Sequence, residues 1–162
     1  MINAVIQALR HSFSPEWATF WIAALPVAEL RGAIPVGVAM GLSLKKAFFW
    51  ACLGNILPIA PTLLLLDPIS RRLRRFPLWS RFFDWWLERT RSQAKMIEKY
   101  EAVGLSVFVA VPLPGTGAWT GCMAASLFKI PFWLAFLSIA SGVLGAGIIV
   151  SAAVSLGLWL IQ

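Results

Sequence analysis

The chain has 162 residues, 59% of them hydrophobic, and a mean hydropathy of +0.78. Soluble domains are about 45–50% apolar, so this composition predicts an integral membrane protein, and residues 1–162 are assigned to one membrane domain. The net charge of +7 does not indicate nucleic acid as a partner, because the basic residues lie between apolar segments, as cytoplasmic loops require. The sequence contains no catalytic triad, Cys/His pair, nucleotide-binding loop or metal-ligand spacing, so we expect neither an enzyme nor a cofactor or metal.

Two short apolar segments open the chain. Residues 1–13 have helical apolar spacing and predict an interfacial amphipathic helix. Ser14, Pro15 and Glu16 then supply a capping residue, a first-turn proline and a first-turn acid, which predicts a helix start. The apolar segment from Glu16 to about Ala28 and the one from Gly32 to Leu44 each have only about a dozen residues. Both are shorter than the roughly 20 residues of a membrane span.

Between these segments Glu29 and Arg31 lie two residues apart, flanked by Pro26 and Pro35. Ionisable groups at membrane depth cost roughly 2.5–3.5 kcal/mol each and are usually functional. Prolines interrupt helices. We therefore predict a re-entrant hairpin broken at these two prolines. The alternative is a single kinked span over residues 17–41.

Residues 47–66 carry no charge and predict one membrane span. Asn55 within it either hydrogen-bonds a neighbouring helix or faces a polar cavity. Residues 67–102 contain nine of the fourteen basic residues and are predicted to form a basic amphipathic arm on the cytoplasmic face. Asp67 and Pro68 predict the start of its helix.

Residues 103–128 are again uncharged, and Pro112, Pro114 and three glycines in their middle predict a second break. Residues 130–162 are also uncharged, and a straight helix of that length would measure about 50 Å against a hydrocarbon core of about 30 Å. This segment is expected to tilt or to break near Gly142, Gly145 and Gly147. Its small residues also suit a homodimer contact.

The chain contains a weak internal repeat. Residues 24–27 match residues 110–113, and each is followed by a break, a short apolar piece, a lysine and a longer apolar helix. The predicted fold is all-α, with two inverted repeats over residues 1–66 and 103–162. Each repeat is a re-entrant helical hairpin plus a membrane-spanning helix, an arrangement typical of secondary transporters.

Each motif has two interpretations. Glu29 and Arg31 form a structural ion pair, or Arg31 binds an anionic head group while Glu29 takes up a coupling proton or sodium ion. The second motif is a tight turn or a ligand site. The predicted substrate-binding residues are Arg31, Gly32, Asn55, Gly115, Thr116, Gly117, Trp119 and Thr120, with Glu29 as the ion-coupling residue and Pro26, Pro35, Pro112 and Pro114 as hairpin-breaking positions.

The sequences ELRGAIP at residues 29–35 and PLPGTGAWTG at residues 112–121 resemble the small multidrug export protein family over nearly the whole chain. That family resembles the DedA superfamily, whose members carry paired re-entrant hairpins. The resemblance implies a multi-pass transporter of the inner (plasma) membrane, and specifically a proton- or sodium-coupled flippase for an anionic lipid carrier such as undecaprenyl phosphate. DedA proteins carry essential arginines in the second hairpin. This chain has none there, so Arg31 would take the phosphate-binding role.

Two other functions stay open. One is export of small cationic or amphipathic drugs, with Glu29 as the counter-ion. The other is a non-transporting, membrane-shaping role for the basic arm. The expected partners are membrane lipids, an anionic lipid or small-molecule substrate, and the coupling ion.

Overall fold

The computed structural model describes residues 14–73, 95–112 and 116–161, with only the backbone of residues 67–73, 95–101 and 161. All regular elements in these ranges are α-helices, which confirms the all-α class for this part of the chain. The predicted interfacial helix of residues 1–13 and most of the basic arm lie outside it. The helices are α1 (Pro15–Ala24), α2 (Glu29–Ala39), α3 (Leu44–Ile56), α4 (Ile59–Leu73), α5 (Lys95–Ala110), α6 (Ala118–Leu127) and α7 (Phe132–Ile161).

The chain divides into two compact units, Met1–Leu57 with Val143–Gln162, and Pro58–Gly142. In the first unit α1 begins as predicted, with Ser14 at the N-cap position, Pro15 in the first turn and Glu16 as the first-turn acid. The helix ends at Ala24, and residues 25–28 form a turn before α2. Helices α1 and α2 lie against each other, so the chain forms a helical hairpin with Pro26 in its turn.

Both hairpin helices are short. With 10 and 11 residues, α1 and α2 measure about 15 and 17 Å, roughly half the 30 Å hydrocarbon core of a bilayer.

The prediction that Pro35 breaks the backbone is wrong, because Pro35 lies inside α2. A proline removes one helical hydrogen bond, here to the Arg31 carbonyl, but its fixed φ of about −65° remains helical. Packing of α2 against both α1 and α3 holds the helix together through this position.

Glycines allow the three helices of the first unit to approach closely. A Cβ atom at Gly37 would lie 3.2 Å from the Cβ of Ala47, and one at Gly54 would collide with the backbone carbonyl of Phe20. The rings of Phe20 and Trp50 meet edge to face at 6.5 Å between centroids. Helix α3 is thus pressed against α1 and α2, and its alanines and Asn55 are buried.

The predicted helix start at Asp67 and Pro68 is also wrong. Helix α4 begins at Ile59, after a turn at residues 57–58, and continues through both residues to Leu73. Pro61 lies in the first turn of α4, where no helical N–H bond is lost, and the apolar residues after it carry the helix forward.

The second unit contains α4, α5, α6 and the first part of α7. Helix α6 lies against both α4 and α5. A Cβ at Gly142 of α7 would lie 2.6 Å from the Ser106 carbonyl oxygen of α5, and the hydroxyls of Ser106 and Ser141 are 3.0 Å apart. The contact between α5 and α7 is therefore as close as the one between α1 and α3.

Helix α7 runs for 30 residues without a break. The expected break near Gly142 and Gly147 is absent, because these glycines are close-contact positions, where Val109 and Phe48 approach the helix. Two stretches, Leu44–Leu66 and Phe132–Leu160, are long and apolar enough to cross a membrane. Only 17% of the most apolar window of the second is buried, whereas the core helix of a soluble protein would be mostly buried.

Candidate functional site

The turn of the first hairpin places Glu29 in an unusual conformation. Glu29 is the first residue of α2, its φ is 46°, and it is only 8% exposed. Its N–H donates a hydrogen bond of 3.1 Å to the Leu25 carbonyl, which closes the turn. A left-handed backbone costs a residue other than glycine roughly 1–2 kcal/mol. Such strain persists only where the surrounding structure holds it, and it clusters at functional sites.

Arg31 follows in the first turn of α2 and is half-buried. Glu29 and Arg31 both take part in interactions within the protein. The N–H of Gly32 donates to the Ala28 carbonyl at 2.9 Å, so it serves the helix. A Cβ at Gly32 would lie 3.1 Å from the Ala28 side chain, so this glycine keeps the turn narrow.

Asn55 lies at the same level as Glu29. Helices α2 and α3 are joined by a four-residue turn and run side by side, with Gly37 against Ala47. Glu29 is eight residues before Gly37 and Asn55 is eight residues after Ala47. Since each helix rises about 1.5 Å per residue, both lie about 12 Å from that contact.

Asn55 is 1% exposed, and its side-chain oxygen Oδ1 has no hydrogen-bond partner among the described residues. An unsatisfied buried polar group costs about 1–3 kcal/mol. Native proteins leave few such groups, and each calls for an explanation, such as an ion or a ligand donor. The level of the hairpin turn thus combines a buried carboxylate, a guanidinium and an acceptor that lacks a donor.

The corresponding turn of the second unit lies between α5 and α6. Gly117 caps α6 with a φ of 150°, a value that favours glycine. The Thr116 hydroxyl donates to the Val111 carbonyl at 2.6 Å, and the Thr120 hydroxyl donates to the Gly117 carbonyl at 3.1 Å. Both hydroxyls retain lone pairs but have no proton left to donate to a ligand.

Trp119, unlike Thr116 and Thr120, has a side-chain N–H in this turn that is available to donate a hydrogen bond. Its indole Nε1 is buried and has no hydrogen-bond partner among the described residues. An indole N–H can only donate, so the group suits an acceptor such as a phosphate or carboxylate oxygen. Pro112 lies between α5 and α6, as predicted for a break, whereas Pro114 and Gly115 fall outside the described residues.

The structure thus places Glu29 and Asn55 at one level of the first unit, with Arg31 and Gly32 in the first turn of α2 beside them. Thr116, Gly117, Trp119 and Thr120 lie together at the turn of the second. Among the residues that the structure describes, Oγ of Ser151 is a third buried polar atom without a partner, and no sequence motif pointed to it. Within the described ranges, no group of His, Cys, Asp and Glu side chains could hold a metal ion.

A family model described as "Putative small multi-drug export protein" matches residues 29–149, which run from the start of α2 into α7 and include the turn between α5 and α6. The chain belongs to this family. No curated protein and no solved structure matches the chain. The small multi-drug export family is one of membrane transporters, so the predicted family resemblance and the general class of function are confirmed. The relationship to DedA proteins stays a prediction.

Proposed function

We propose that the protein is an ion-coupled secondary transporter that moves an anionic lipid, of the polyprenyl phosphate kind, across the membrane. Membership of the small multi-drug export family and the two long apolar stretches support a membrane transporter. The observation that carries the finer proposal is the buried, left-handed Glu29 two residues from Arg31.

The substrate's phosphate binds at the start of α2. Arg31 lies in the first turn of this helix, where the helix dipole adds positive potential. Guanidinium groups bind phosphate through two parallel hydrogen bonds.

Coupling comes from Glu29. Phosphate and the Glu29 carboxylate compete for Arg31, so a bound phosphate favours uptake of a proton or sodium ion by Glu29. A protonated carboxyl group is also the kind of hydrogen-bond donor that Asn55 Oδ1, at the same level, lacks. Binding of the substrate would then give Arg31 a phosphate partner, and proton uptake by Glu29 would give Asn55 Oδ1 a hydrogen-bond donor.

The repeat is part of the proposal. The turn after α2 and the turn after α6 correspond at a spacing of 88 residues: Gly41 and Lys129 both have positive φ, at 97° and 54°. The same spacing relates the bond from Leu42 N–H to Gly37 O with that from Ile130 N–H to Ala125 O, at 3.0 and 2.9 Å. The same spacing also relates Gly54 and Gly142, where an added Cβ would in each case meet a backbone carbonyl of a neighbouring helix. These matches support a repeated structural unit. The proposal further takes the two hairpins to be re-entrant and of opposite orientation, with the basic arm on the cytoplasmic face of the inner membrane.

Export of small cationic drugs is the second candidate function, and the family's description favours it. Glu29 is the one buried carboxylate among the described side chains, so it would be the counter-ion for a cation. Arg31 would then repel the substrate and be dispensable.

One experiment separates the two functions. Wild type, Arg31→Ala and Glu29→Gln are reconstituted into vesicles, and flipping of a fluorescent polyprenyl phosphate is measured alongside efflux of a fluorescent cationic dye. Lipid transport predicts that Arg31→Ala loses at least tenfold in flipping, because a charge-assisted phosphate contact contributes about 1.5–3 kcal/mol. Glu29→Gln is expected to flip lipid without responding to the ion gradient.

Glu16→Gln is the matched control, since Glu16 is the other described carboxylate and belongs to the start of α1. It should behave as wild type. If Arg31→Ala flips the lipid at the wild-type rate, the lipid proposal is wrong. Dye efflux that is lost in Glu29→Gln and kept in Arg31→Ala establishes drug export instead.

A further inference from the structure

The first unit contains an open cleft of about 310 Å³ between the start of α3 and the second half of α7. This volume is at the lower end of the 300–1,000 Å³ typical of ligand pockets. It is lined by Leu44, Lys45, Phe48, Ile148 and Ser151. All but Lys45 and Ser151 are apolar, so the lining of the cleft is mostly apolar and carries a single charged side chain.

The amides at the N-terminus of α3 add positive potential beside Lys45. Lys45 and its neighbour Lys46 are both exposed in the first turn of α3, but only Lys45 lines the cleft. Ser43 occupies the N-cap position, but its side chain does not hydrogen-bond the helix, so the first amides of α3 lack a side-chain cap. Uncapped amides at a helix N-terminus attract anions.

The apolar part exists because Gly147 leaves room for Phe48. A Cβ at Gly147 would lie 2.7 Å from Phe48 Cε2 and 3.2 Å from Cys52 Sγ, so the ring occupies the space of the missing side chain. Ile148, beside Gly147 on α7, is 63% exposed. Phe48 of α3 and Ile148 of α7 thus line an open apolar channel, and Lys45 lies about one helical turn before Phe48.

The cleft is separate from the hairpin turn. Lys45 precedes Asn55 by ten residues on the same helix, which places the two levels about 15 Å apart. Glu29 and Arg31, which lie near the level of Asn55, do not line the cleft.

We propose that this cleft binds an anionic phospholipid, with its phosphate at Lys45 and the start of α3 and one acyl chain between Phe48 and Ile148. An apolar channel with one cationic end is complementary to a molecule that joins an alkyl chain to a phosphate. A zwitterionic lipid offers the same chain but no net negative charge. The site does not depend on what the hairpin turn transports.

The test uses the purified full-length protein and native mass spectrometry. Phosphatidylglycerol, phosphatidylcholine with the same acyl chains, and glycerol phosphate are offered separately. We expect retention of phosphatidylglycerol in clear preference to phosphatidylcholine and no retention of glycerol phosphate. A lysine beside a phosphate contributes about a fivefold preference, so Lys45→Gln should bring the two lipids close to equal.

Lys46→Gln is the matched control, since Lys46 carries the same charge on the same turn but does not line the cleft. It should keep the preference. Ile148→Trp, which fills the channel without changing charge, should weaken retention of both lipids. If Lys45→Gln and Lys46→Gln lower the preference for phosphatidylglycerol equally, the preference comes from diffuse surface attraction and the proposal is wrong. Lipid retention that is unchanged in Ile148→Trp would also overturn it.

Discussion

At the scale of single residues, Glu29 and Asn55 each carry a local cost. Glu29 combines a left-handed backbone with burial, and Asn55 keeps a buried side-chain oxygen that has no donor within the described part of the chain. A helix of ordinary apolar residues would avoid both costs. Their occurrence at one level of the first unit is therefore the strongest residue-level argument for a functional site there.

Gly54 gives a stability prediction at the same scale. Gly54→Ala should lower the free energy of unfolding by about 1–3 kcal/mol, because the new Cβ meets the Phe20 backbone carbonyl, which no side-chain movement can relieve. Gly157→Ala is the control, since nothing lies within 4 Å of its new Cβ. It should be neutral or slightly stabilising, because alanine favours helix. Thermal unfolding in one detergent compares the two, and equal midpoints would refute the close approach of α1 and α3.

At the scale of elements, the two turns that follow α2 and α6 differ in one respect. The left-handed position is Gly41 in the first and Lys129 in the second, with φ of 97° and 54°. Glycine adopts this conformation without a Cβ clash, whereas lysine does not. Lys129 therefore holds strain that the sequence could have avoided.

We expect Lys129→Gly to raise the free energy of unfolding by up to about 1 kcal/mol and Gly41→Ala to lower it by roughly 1–2 kcal/mol. Chemical or thermal unfolding of both variants measures the two changes. Opposite signs are the diagnostic result. A loss of stability in Lys129→Gly would mean that the lysine side chain makes a contact that outweighs its backbone strain.

At the scale of the whole molecule, the proposed inverted repeat makes a topological prediction. Ser43 and Lys129 are exposed, and each lies in the turn after the second helix of its hairpin. Ser43→Cys and Lys129→Cys, made in a chain whose buried Cys52 and Cys122 are replaced by alanine, should react with a membrane-impermeant maleimide from opposite sides. Labelling of intact cells and of inside-out vesicles distinguishes the sides.

The chain without cysteines is the control and should not be labelled. Labelling of both positions from one side would exclude the inverted repeat. Membership of the small multi-drug export family would stand unchanged.

Several features follow from the sequence alone because their causes are local. The apolar composition predicts a membrane protein, Ser14 to Glu16 predict the start of α1, and Pro26 lies in the turn between two short helices. The motifs around both turns were also enough to indicate the family. Each of these inferences depends on hydropathy, capping or the missing N–H of proline, which do not require distant residues.

Other features were decided only by tertiary structure. Whether Pro35 ends a helix depends on the neighbouring helices, and α2 continues through it between α1 and α3. Whether Gly147 breaks a helix also depends on its neighbours, and α7 continues there with Phe48 packed against the glycine. The level that Asn55 shares with Glu29 and the cleft at Lys45 likewise arise from helix register. In a bilayer, where water cannot satisfy a broken helix, neighbouring helices determine where the backbone bends.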